Sequence, residues 1–219
     1  MKGRFEMKIK EIVWSECKKA QDMILKKHYA QRKPSISFLF GLFDTNDNLV
    51  GVCSFGKPAS NSLCIGICGK ELSSKVYELN RLYIEPNQPR NTASWFISKC
   101  LKELKHLGLI IVSYSDLGMN HHGYVYQASN FLYTGKTKSR TDKYTIDNKH
   151  SRHYNNDNNH LRKFRTSKHR YVYFLNRKDK KYLKYDILPY PKGENKNYKI
   201  GERMKTKILN KDTGDIFYV

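Results

Sequence analysis

Side chains that can move protons follow a predicted strand near the middle of this 219-residue chain. Asp116 comes two residues after the apolar run Leu109–Tyr114, and His121 stands before the next predicted helix. Carboxylates and imidazoles act as general bases, and ligands of open α/β sheets bind where strands pass into helices. Asp116 and His121 are therefore candidate proton acceptors, although Asp is also a common turn or N-cap residue here.

A second group of side chains can hold an anion. The helix capped by Asn91 or Thr92 has free backbone N–H groups and the positive end of its dipole in its first turn, where the Ser94 hydroxyl adds a donor. Arg81 lies late in an apolar strand and needs a partner, either a phosphate or the carboxylate of a structural ion pair. Ser94 is also a common helix-start residue.

Two further hypotheses start from the segment around His28. His28, Asp116 and His121 could supply a two-His, one-carboxylate site for a divalent metal such as iron. Tyr29, Tyr124 and Tyr126 together could clamp a planar base, the alternative being aromatic core packing, which fits Tyr124 better than Tyr126. Both hypotheses require segments that are far apart in sequence to meet at one edge of the fold.

The elements that would position these residues alternate along the chain. A strand at Lys8–Val13 and a helix capped by Ser15 come first. A hairpin follows, with strands at Ser37–Asp44 and Leu49–Gly56, and then a strand at Val76–Ile84. The remaining elements are an amphipathic helix from Asn91 to Gly108, a buried strand at Leu109–Tyr114 and a last helix that starts from His121. This order predicts an α/β fold with a mixed central sheet and helices on both faces, the layout of GNAT acyltransferases.

Finer details of this layout are also predicted. Alternation along Val76–Ile84 places Glu78 and Asn80 on one face of the strand, with Leu79 and Arg81 on the other. Beyond Tyr133 the pattern is weaker. We expect strands at Lys143–Ile146 and Arg170–Leu175, a loop at Asn148–His160 and an unassigned basic tail at 195–219.

The charge of the chain points to a polyanionic partner. The formal net charge is +21, of which residues 136–219 carry +14 and residues 1–135 carry +7. In residues 136–219 the cations alternate with Tyr and Phe. The cations can neutralise phosphates and the aromatic rings can stack on bases. The alternative is a solvated basic surface. The candidate nucleic-acid contacts are Lys136, Lys138, Arg140, Arg162, Lys163, Arg165, Lys168 and Arg170.

Composition also excludes several classes of protein. The sequence has no run of 18 apolar residues and no apolar signal segment after Met1, so we expect a soluble, cytoplasmic protein without a membrane partner. Its five cysteines lack the pattern of a secreted scaffold, so reduced thiols are expected. Cys64 and Cys68 have no second Cys/His pair at zinc spacing and are expected to be ordinary semi-buried residues.

The start of the amphipathic helix bears on the choice of cofactor. In GNAT enzymes this turn holds the pyrophosphate of acetyl-CoA through a glycine-rich segment. The matching stretch, Gln88–Ser94, contains no glycine, so the backbone cannot approach a ligand as closely. Acetyl-CoA is therefore a doubtful cofactor, and the group donor stays unknown.

Several separated motifs resemble the Mom family, phage DNA-modification proteins with a GNAT-like fold. The likeness covers roughly residues 20–190 and rests on motifs that occur in the same order: His28-Tyr29, Val50–Gly56, Glu78–Tyr83, Asn91–Ile97, Ser113–Asp116, His121–Phe131 and Tyr133–Gly135. It implies a modification domain at 1–190, with its basic DNA-binding part at 136–190, and a basic extension at 191–219.

The resemblance also implies an activity. It is the addition of a carbamoylmethyl group to the exocyclic amine of adenine in double-stranded DNA, and the base would flip out of the stack to react. The modification would protect phage DNA from restriction in the host cytoplasm. The positions carried over are His28, Tyr29, Arg81, Ser94, Asp116 and Tyr126. Arg81 and Ser94, with the helix start at Asn91 and Thr92, would hold the donor; Asp116 or His121 would take the proton; Tyr29 and Tyr126 would orient the base. The alternatives are a GNAT-like acyltransferase acting on tRNA or a small amine, and a non-catalytic DNA-binding protein.

Overall fold

The computed structural model describes residues 6–144, 158–194, 200–201 and 205–219. Within these ranges the chain forms two sheets and four α-helices. The bounds in chain order are β1 Lys8–Glu11, α1 Lys18–Asp22, β2 Phe38–Phe43, β3 Leu49–Gly56, α2 Asn61–Leu72, β4 Val76–Ile84, α3 Thr92–Glu103, β5 Ile110–Asp116, α4 Tyr124–Ala128, β6 Leu132–Lys136, β7 Arg140–Lys143, β8 Leu161–Arg165, β9 Lys168–Phe174, β10 Lys207–Asn210 and β11 Ile216–Tyr218. A π-helical turn, Met23–Lys27, continues α1.

The main sheet has seven strands in the order β1-β2-β3-β4-β5-β9-β6. Helices α3 and α4 cover one face, where Phe96, Ile97 and Cys100 of α3 are fully buried. The other face is covered by α1 with its π-helical turn and by α2, through Met23 and Ile67 among others. The predicted mixed α/β sheet with helices on both faces is therefore confirmed.

Strands β4 and β5 separate soon after they pair. They run parallel and pair only from Val76 opposite Ile110 to Glu78 opposite Val112. Strand β4 nevertheless continues to Ile84, so the two strands diverge beyond Glu78. Unpaired backbone in the middle of a sheet leaves a gap in which a ligand can lie. This gap is the feature of the fold that positions the site.

A β-bulge in β4 corrects the alternation predicted for that strand. Arg81 lies opposite Ser54 and Leu79 opposite Phe55, so Asn80 is an extra residue on the β4 side of the ladder. Because of this extra residue, each side chain that follows in β4 lies on the face opposite to the one that simple alternation predicts. Leu79 packs in the α3 core, as Leu82 does three residues later. Arg81 therefore does not share the face of Leu79, and the prediction that these two side chains lie on one face was wrong.

The smaller sheet has the order β11-β10-β8-β7 and is built from the basic part of the chain. Its strands β7 and β8 are an insertion between β6 and β9, which pair with each other in the main sheet. The strand predicted at Lys143–Ile146 is found at Arg140–Lys143, and the one predicted at Arg170–Leu175 begins at Lys168. Residues 145–146, most of the predicted loop Asn148–His160, and 195–199 and 202–204 of the tail lie outside the described residues.

Helix α2 was not predicted from the sequence. Its residues include Gly66 and Gly69, and Gly69 has φ 81°, a left-handed conformation that kinks the helix. Glycine is a poor helix former because it loses the most backbone entropy on folding. The buried residues Cys64, Ile67 and Cys68 are nevertheless spaced for one apolar face. Helix α2 is therefore stabilised by packing rather than by local propensity.

Candidate active site

Arg81 lies at the gap between β4 and β5 with its guanidinium directed into the protein. Its two terminal nitrogens donate to backbone carbonyls, Nη1 to Asn80 at 2.6 Å and Nη2 to Arg32 at 3.0 Å. Its Nε is buried and has no hydrogen-bond partner among the residues that the structure describes. Burial and the charge of Arg32 lower the pKa of Arg81, while Tyr29 and Glu78 raise it. A buried cation with a spare donor is suited to an anionic or carbonyl group of a ligand.

Glu78 is the last residue of β4 that pairs with β5, so it stands at the inner end of the gap. Burial raises the pKa of its carboxyl group, although Lys168 and Arg81 act in the opposite direction. No hydrogen bond from the described ranges contributes to that shift. From the sequence, Glu78 was placed on the strand face opposite Arg81 and was given no role in the site. The signal that was missed is that Glu78 is the one acidic residue in an apolar strand.

His28 and Tyr29 reach the same place from the opposite side of the gap. The π-helical turn ends when the N–H of His28 donates to the Met23 carbonyl at 2.9 Å, and His28 is then buried. Its ring stacks on Tyr29 at 4.5 Å, and the Tyr29 ring meets His121 edge-on at 6.1 Å. The structure thus brings together three of the predicted site residues around Arg81.

The protonation state of His28 follows from its surroundings. Burial, together with the neighbouring Arg81 and His121, lowers its pKa from 6.5 to about 3. Its Nδ1 accepts a hydrogen bond from the backbone N–H of Ala30 at 3.1 Å. The neutral ring therefore carries its proton on Nε2. His28 is a hydrogen-bond donor at physiological pH and not a charged group.

Tyr126 closes the gap from the α4 side. Its ring packs against Phe131 and Tyr171, with ring centres at 5.6 and 5.3 Å, so Tyr126 takes part in the aromatic core. Core packing was predicted to fit Tyr124 better, but Tyr124 is 39% exposed. Burial raises the pKa of its hydroxyl, which also hydrogen-bonds with Ser113. The Ser113 hydroxyl donates to the Leu79 carbonyl at 2.9 Å and so links β4 to β5 just beyond their last backbone pair. The Tyr126 hydroxyl therefore lies at the gap.

The carboxylate of Asp116 is already engaged within the protein. It accepts hydrogen bonds from the Gly118 N–H at 2.9 Å and from the Thr166 hydroxyl, and it forms an ion pair with Lys168 at 3.0 Å. Burial raises its pKa, but Lys168 and these hydrogen bonds outweigh burial and hold the pKa below its usual value. Asp116 thus ties the end of β5 to the start of β9. A catalytic role for it stays a prediction.

The metal hypothesis is not supported by this geometry. In the part of the chain that the structure describes, no group of three His, Cys, Asp or Glu side chains is arranged to hold an ion. His28 and His121 contact Tyr29, while Asp116 is directed to Lys168. The three residues therefore do not present a shared set of ligands.

A separate cleft of about 470 Å³ opens between the first turn of α3 and helix α4. Ser94 lines it, but its hydroxyl donates to the Asn91 carbonyl at 3.1 Å, and the Thr92 hydroxyl donates to Pro89 at 2.6 Å. Asn87 and Asn91 have φ of 64° and 68°, left-handed conformations that usually require glycine. Asparagines thus form the tight loop in the absence of glycines. The helix start offers a cavity, while both hydroxyls are used within their own turn.

The predicted nucleic-acid contacts divide into two groups. Arg140 and Arg165 both pair with Asp142, at 3.1 and 3.3 Å, and Lys168 pairs with Asp116. Arg170 donates to Thr134 and stacks 3.3 Å above the Tyr185 ring, so its charge serves internal packing. The others are exposed or half-buried in the described structure: Lys136, Lys138, Arg162 and Lys163.

Two further expectations concern the whole chain. All five cysteines are free, as expected, and burial raises the pKa of the thiols of Cys64, Cys68 and Cys100. Among the described residues, no helix is long and apolar enough to span a bilayer.

Two features indicate the class of this fold: the parallel strands β4 and β5, which diverge beyond Glu78, and the cleft at the start of α3. A proposed acetyltransferase from Acinetobacter baylyi ADP1 superposes on it with a TM-score of 0.50 at 10% identity, covering 80% of this chain and 94% of the other. A dodecameric spermidine N-acetyltransferase from Vibrio cholerae covers 80% and 98% with a TM-score of 0.49 at 10% identity. The protein has the α/β fold of the GNAT acetyltransferases.

Its sequence assigns it more narrowly. The chain belongs to the Mom protein family, whose profile matches residues 7–192. It is similar to the methylcarbamoylase Mom of Escherichia phage Mu, with 30% identity over 218 residues that cover 87% of this chain and 86% of that protein. The family assignment made from the sequence motifs is thereby confirmed.

Proposed function

We propose that this protein is a DNA-modifying transferase that adds a carbamoylmethyl group to the exocyclic amine of adenine in double-stranded DNA. The observation that supports it most is the group His28, Tyr29, Glu78, Arg81 and Tyr126, gathered where β4 and β5 separate. Membership of the Mom family and the net charge of +21 support DNA as the substrate. Such a modification would protect the DNA from restriction enzymes.

We place the two substrates on opposite faces of the sheet. The cleft between α3 and α4 lies on one face and is the proposed site of the group donor, with the α3 dipole favouring an anionic portion. His28 and Tyr29 follow the turn that packs on the other face, where we place the adenine. The target amine is hidden in a duplex, so the base must leave the stack, at a cost of a few kcal/mol. Tyr29, stacked on His28, offers it an aromatic surface.

The proposed chemistry is a single displacement. The adenine amine attacks the CH₂ carbon of a donor that carries the carbamoylmethyl group on a leaving group. The new N–C bond forms as the bond to the leaving group breaks, and the leaving group departs with the electron pair. The proton of the amine passes to the Glu78 carboxylate, whose raised pKa makes it a better acceptor than a paired carboxylate. Arg81 and the Nε2–H of His28 are positioned to orient the carbonyl of the transferred group.

Nucleoside mass spectrometry of DNA from cells that make the protein tests this proposal. We expect a deoxyadenosine in which one carbamoylmethyl group replaces a hydrogen, and we expect Arg81→Ala to abolish it. Arg177→Ala is the matched control, because this exposed arginine follows the end of β9 at the opposite edge of the sheet. Unmodified nucleosides from cells with abundant, folded protein would overturn the proposal.

Acyl transfer from acetyl-CoA to tRNA or a small amine is the second candidate, because the α3–α4 cleft is lined by the helix start that was matched to the acetyl-CoA turn of GNAT enzymes. Calorimetric titration with acetyl-CoA distinguishes the two. Tight binding that Ser94→Ala weakens and Ser98→Ala leaves unchanged would favour acyl transfer. Both serines donate to a carbonyl of their own helix, and only Ser94 lines the cleft.

A further inference from the structure

One face of the smaller sheet has a distinctive set of side chains. Opposite residues of an antiparallel ladder project to the same side, as do residues two apart along a strand. Arg162 lies opposite Lys143 and Leu209, and Lys207 lies opposite Tyr218. We call this side the basic face. Its members are Thr141, Lys143, Arg162, Phe164, Lys207, Leu209, Ile216 and Tyr218.

The basic face holds cations and aromatic rings without a carboxylate among its described strand residues. The Lys207 ammonium lies 4.9 Å from the centre of the Phe164 ring, which confirms that β8 and β10 project these side chains to the same side. Tyr218 is 62% exposed and Ile216 is 50% exposed, so the face is open to solvent.

The opposite face of the same sheet, which also includes Lys163, differs in holding a carboxylate among its cations and in being partly covered. Asp142 pairs there with both Arg140 and Arg165. Ile208 is fully buried. The charge of Arg165 contributes to lowering the pKa of Arg32, whose carbonyl accepts a hydrogen bond from Arg81. The smaller sheet therefore directs this side towards the protein. The basic face is the side left for a partner.

Two connections hold the smaller sheet beside the active site. Thr166 and Lys168, which join β8 to β9, are bound by Asp116 at the end of β5. In the C-terminal segment, the Gly201 carbonyl accepts a hydrogen bond from the side chain of Gln31 at 2.8 Å, three residues after His28. A molecule bound on the basic face is thus held at a fixed position relative to the gap.

We propose that the basic face binds the phosphate backbone of duplex DNA next to the target base, and that the C-terminal hairpin β10–β11 supplies part of it. The proposal relies on the proposed function for the identity of the partner. Lys and Arg neutralise phosphates, and a Tyr hydroxyl is one of the groups that contact phosphate and sugar. Lys207 and Tyr218 lie beyond the family match at residues 7–192, so this contact belongs to the extension of the chain.

Fluorescence anisotropy of the full-length protein with a labelled DNA duplex tests the surface. Arg162→Ala and Lys207→Ala are each expected to weaken binding on the order of fivefold to tenfold near 0.1 M salt, and to reduce the salt slope by about 1. Tyr218→Ala should weaken binding with little change in the slope, and Arg162→Lys should restore most of the affinity. Arg177→Ala and Lys180→Ala, exposed at the far edge of the main sheet, are the matched controls.

The outcomes separate this proposal from the proposed function. Basic-face variants that bind duplex as the wild type does, while cellular DNA is still modified, would overturn the surface alone. Weakened binding without any modified nucleoside would support the surface and contradict the chemistry. Stronger binding to single-stranded RNA of equal length, or loss of affinity in the control variants as well, would overturn the surface. Lys207→Ala changes an exposed side chain, so it keeps the test valid if Arg162→Ala fails to fold.

Discussion

Two carboxylates near the gap differ because of their neighbours. Asp116 is held by Gly118, Thr166 and Lys168, and its pKa is lowered. Glu78 is half-buried and receives no such hydrogen bond within the described ranges, and burial raises its pKa. A base that works near neutral pH needs a pKa close to that pH, so Glu78 is the better proton acceptor of the two.

We therefore expect Glu78→Gln to reduce DNA modification on the order of 10²- to 10⁴-fold, the usual contribution of a general base. In the wild type, activity should rise with pH through the raised pKa of Glu78 and be lost below it. The pH–rate profile of purified enzyme measures this. Glu103→Gln, an exposed carboxylate at the end of α3, is the control. A loss of less than threefold in Glu78→Gln would remove Glu78 from the mechanism.

Glu78→Gln, which should lower activity, should raise the stability of the folded protein. Because the folded protein binds the Glu78 proton more tightly than the unfolded chain, stability falls as pH rises above the ordinary Glu pKa of about 4.3. Glu78→Gln should thus raise Tm at pH 8 and have little effect at pH 4. Equal shifts at both pH values would show that the carboxyl is not destabilised by burial.

His28 should make the protein sensitive to acid. Its pKa is about 3 in the folded state and 6.5 in the unfolded chain, so stability is lost as pH falls through that range. His28→Asn keeps an acceptor for the Ala30 N–H and removes the titration. Urea unfolding from pH 4 to pH 7 should show a shallower pH dependence in this variant than in the wild type or in the exposed control His106→Asn. Parallel curves would contradict it.

At the scale of elements, Ser113 is the link that holds β4 and β5 where their backbone pairing has ended. Ser113→Ala removes its bond to the Leu79 carbonyl and should lower the free energy of unfolding by about 1 kcal/mol. Ser115→Ala, in the same strand, is a close control because the Ser115 hydroxyl is buried and has no hydrogen-bond partner in the described part of the chain. Its removal should be neutral or stabilising. Chemical denaturation that gives equal losses would contradict this role of Ser113.

The elements differ in how far the sequence predicts them. Strand β5 and helix α3 were predicted because their apolar spacing is local. Helix α2 was not, because its glycines disfavour a helix that only tertiary packing stabilises. The bulge at Asn80 depends on the register of β3 against β4, and the partners of Asp116 lie about fifty residues further along the chain. Such long-range pairings leave no periodic signal in a single sequence.

At the scale of the whole molecule, Asp116 connects the reaction centre to the smaller sheet. Its partners Thr166 and Lys168 stand where the inserted segment returns to the main sheet, beside Thr137, whose N–H donates to the Lys168 carbonyl at 2.8 Å. Asp116→Ala should loosen this junction and speed amide exchange at Thr137 and at Leu117, whose N–H donates to Ser167. Hydrogen-exchange mass spectrometry measures it.

The control for this prediction is Asp142→Ala, which removes the ion pairs of Arg140 and Arg165 inside the smaller sheet. It should affect β7 and β8 and leave the junction protected. Equal exchange at the junction in Asp116→Ala and the wild type would show that Asp116 does not hold the two sheets together.

The position of this insertion has an evolutionary consequence. Strands β6 and β9 are neighbours, so the intervening segment leaves and re-enters the main sheet at adjacent points, Thr137 and Lys168. A connection of this kind can lengthen, shorten or be exchanged without shifting the register of the seven strands. Relatives could thus acquire new target preferences by grafting a different segment between β6 and β9, while the machinery at the gap is inherited intact.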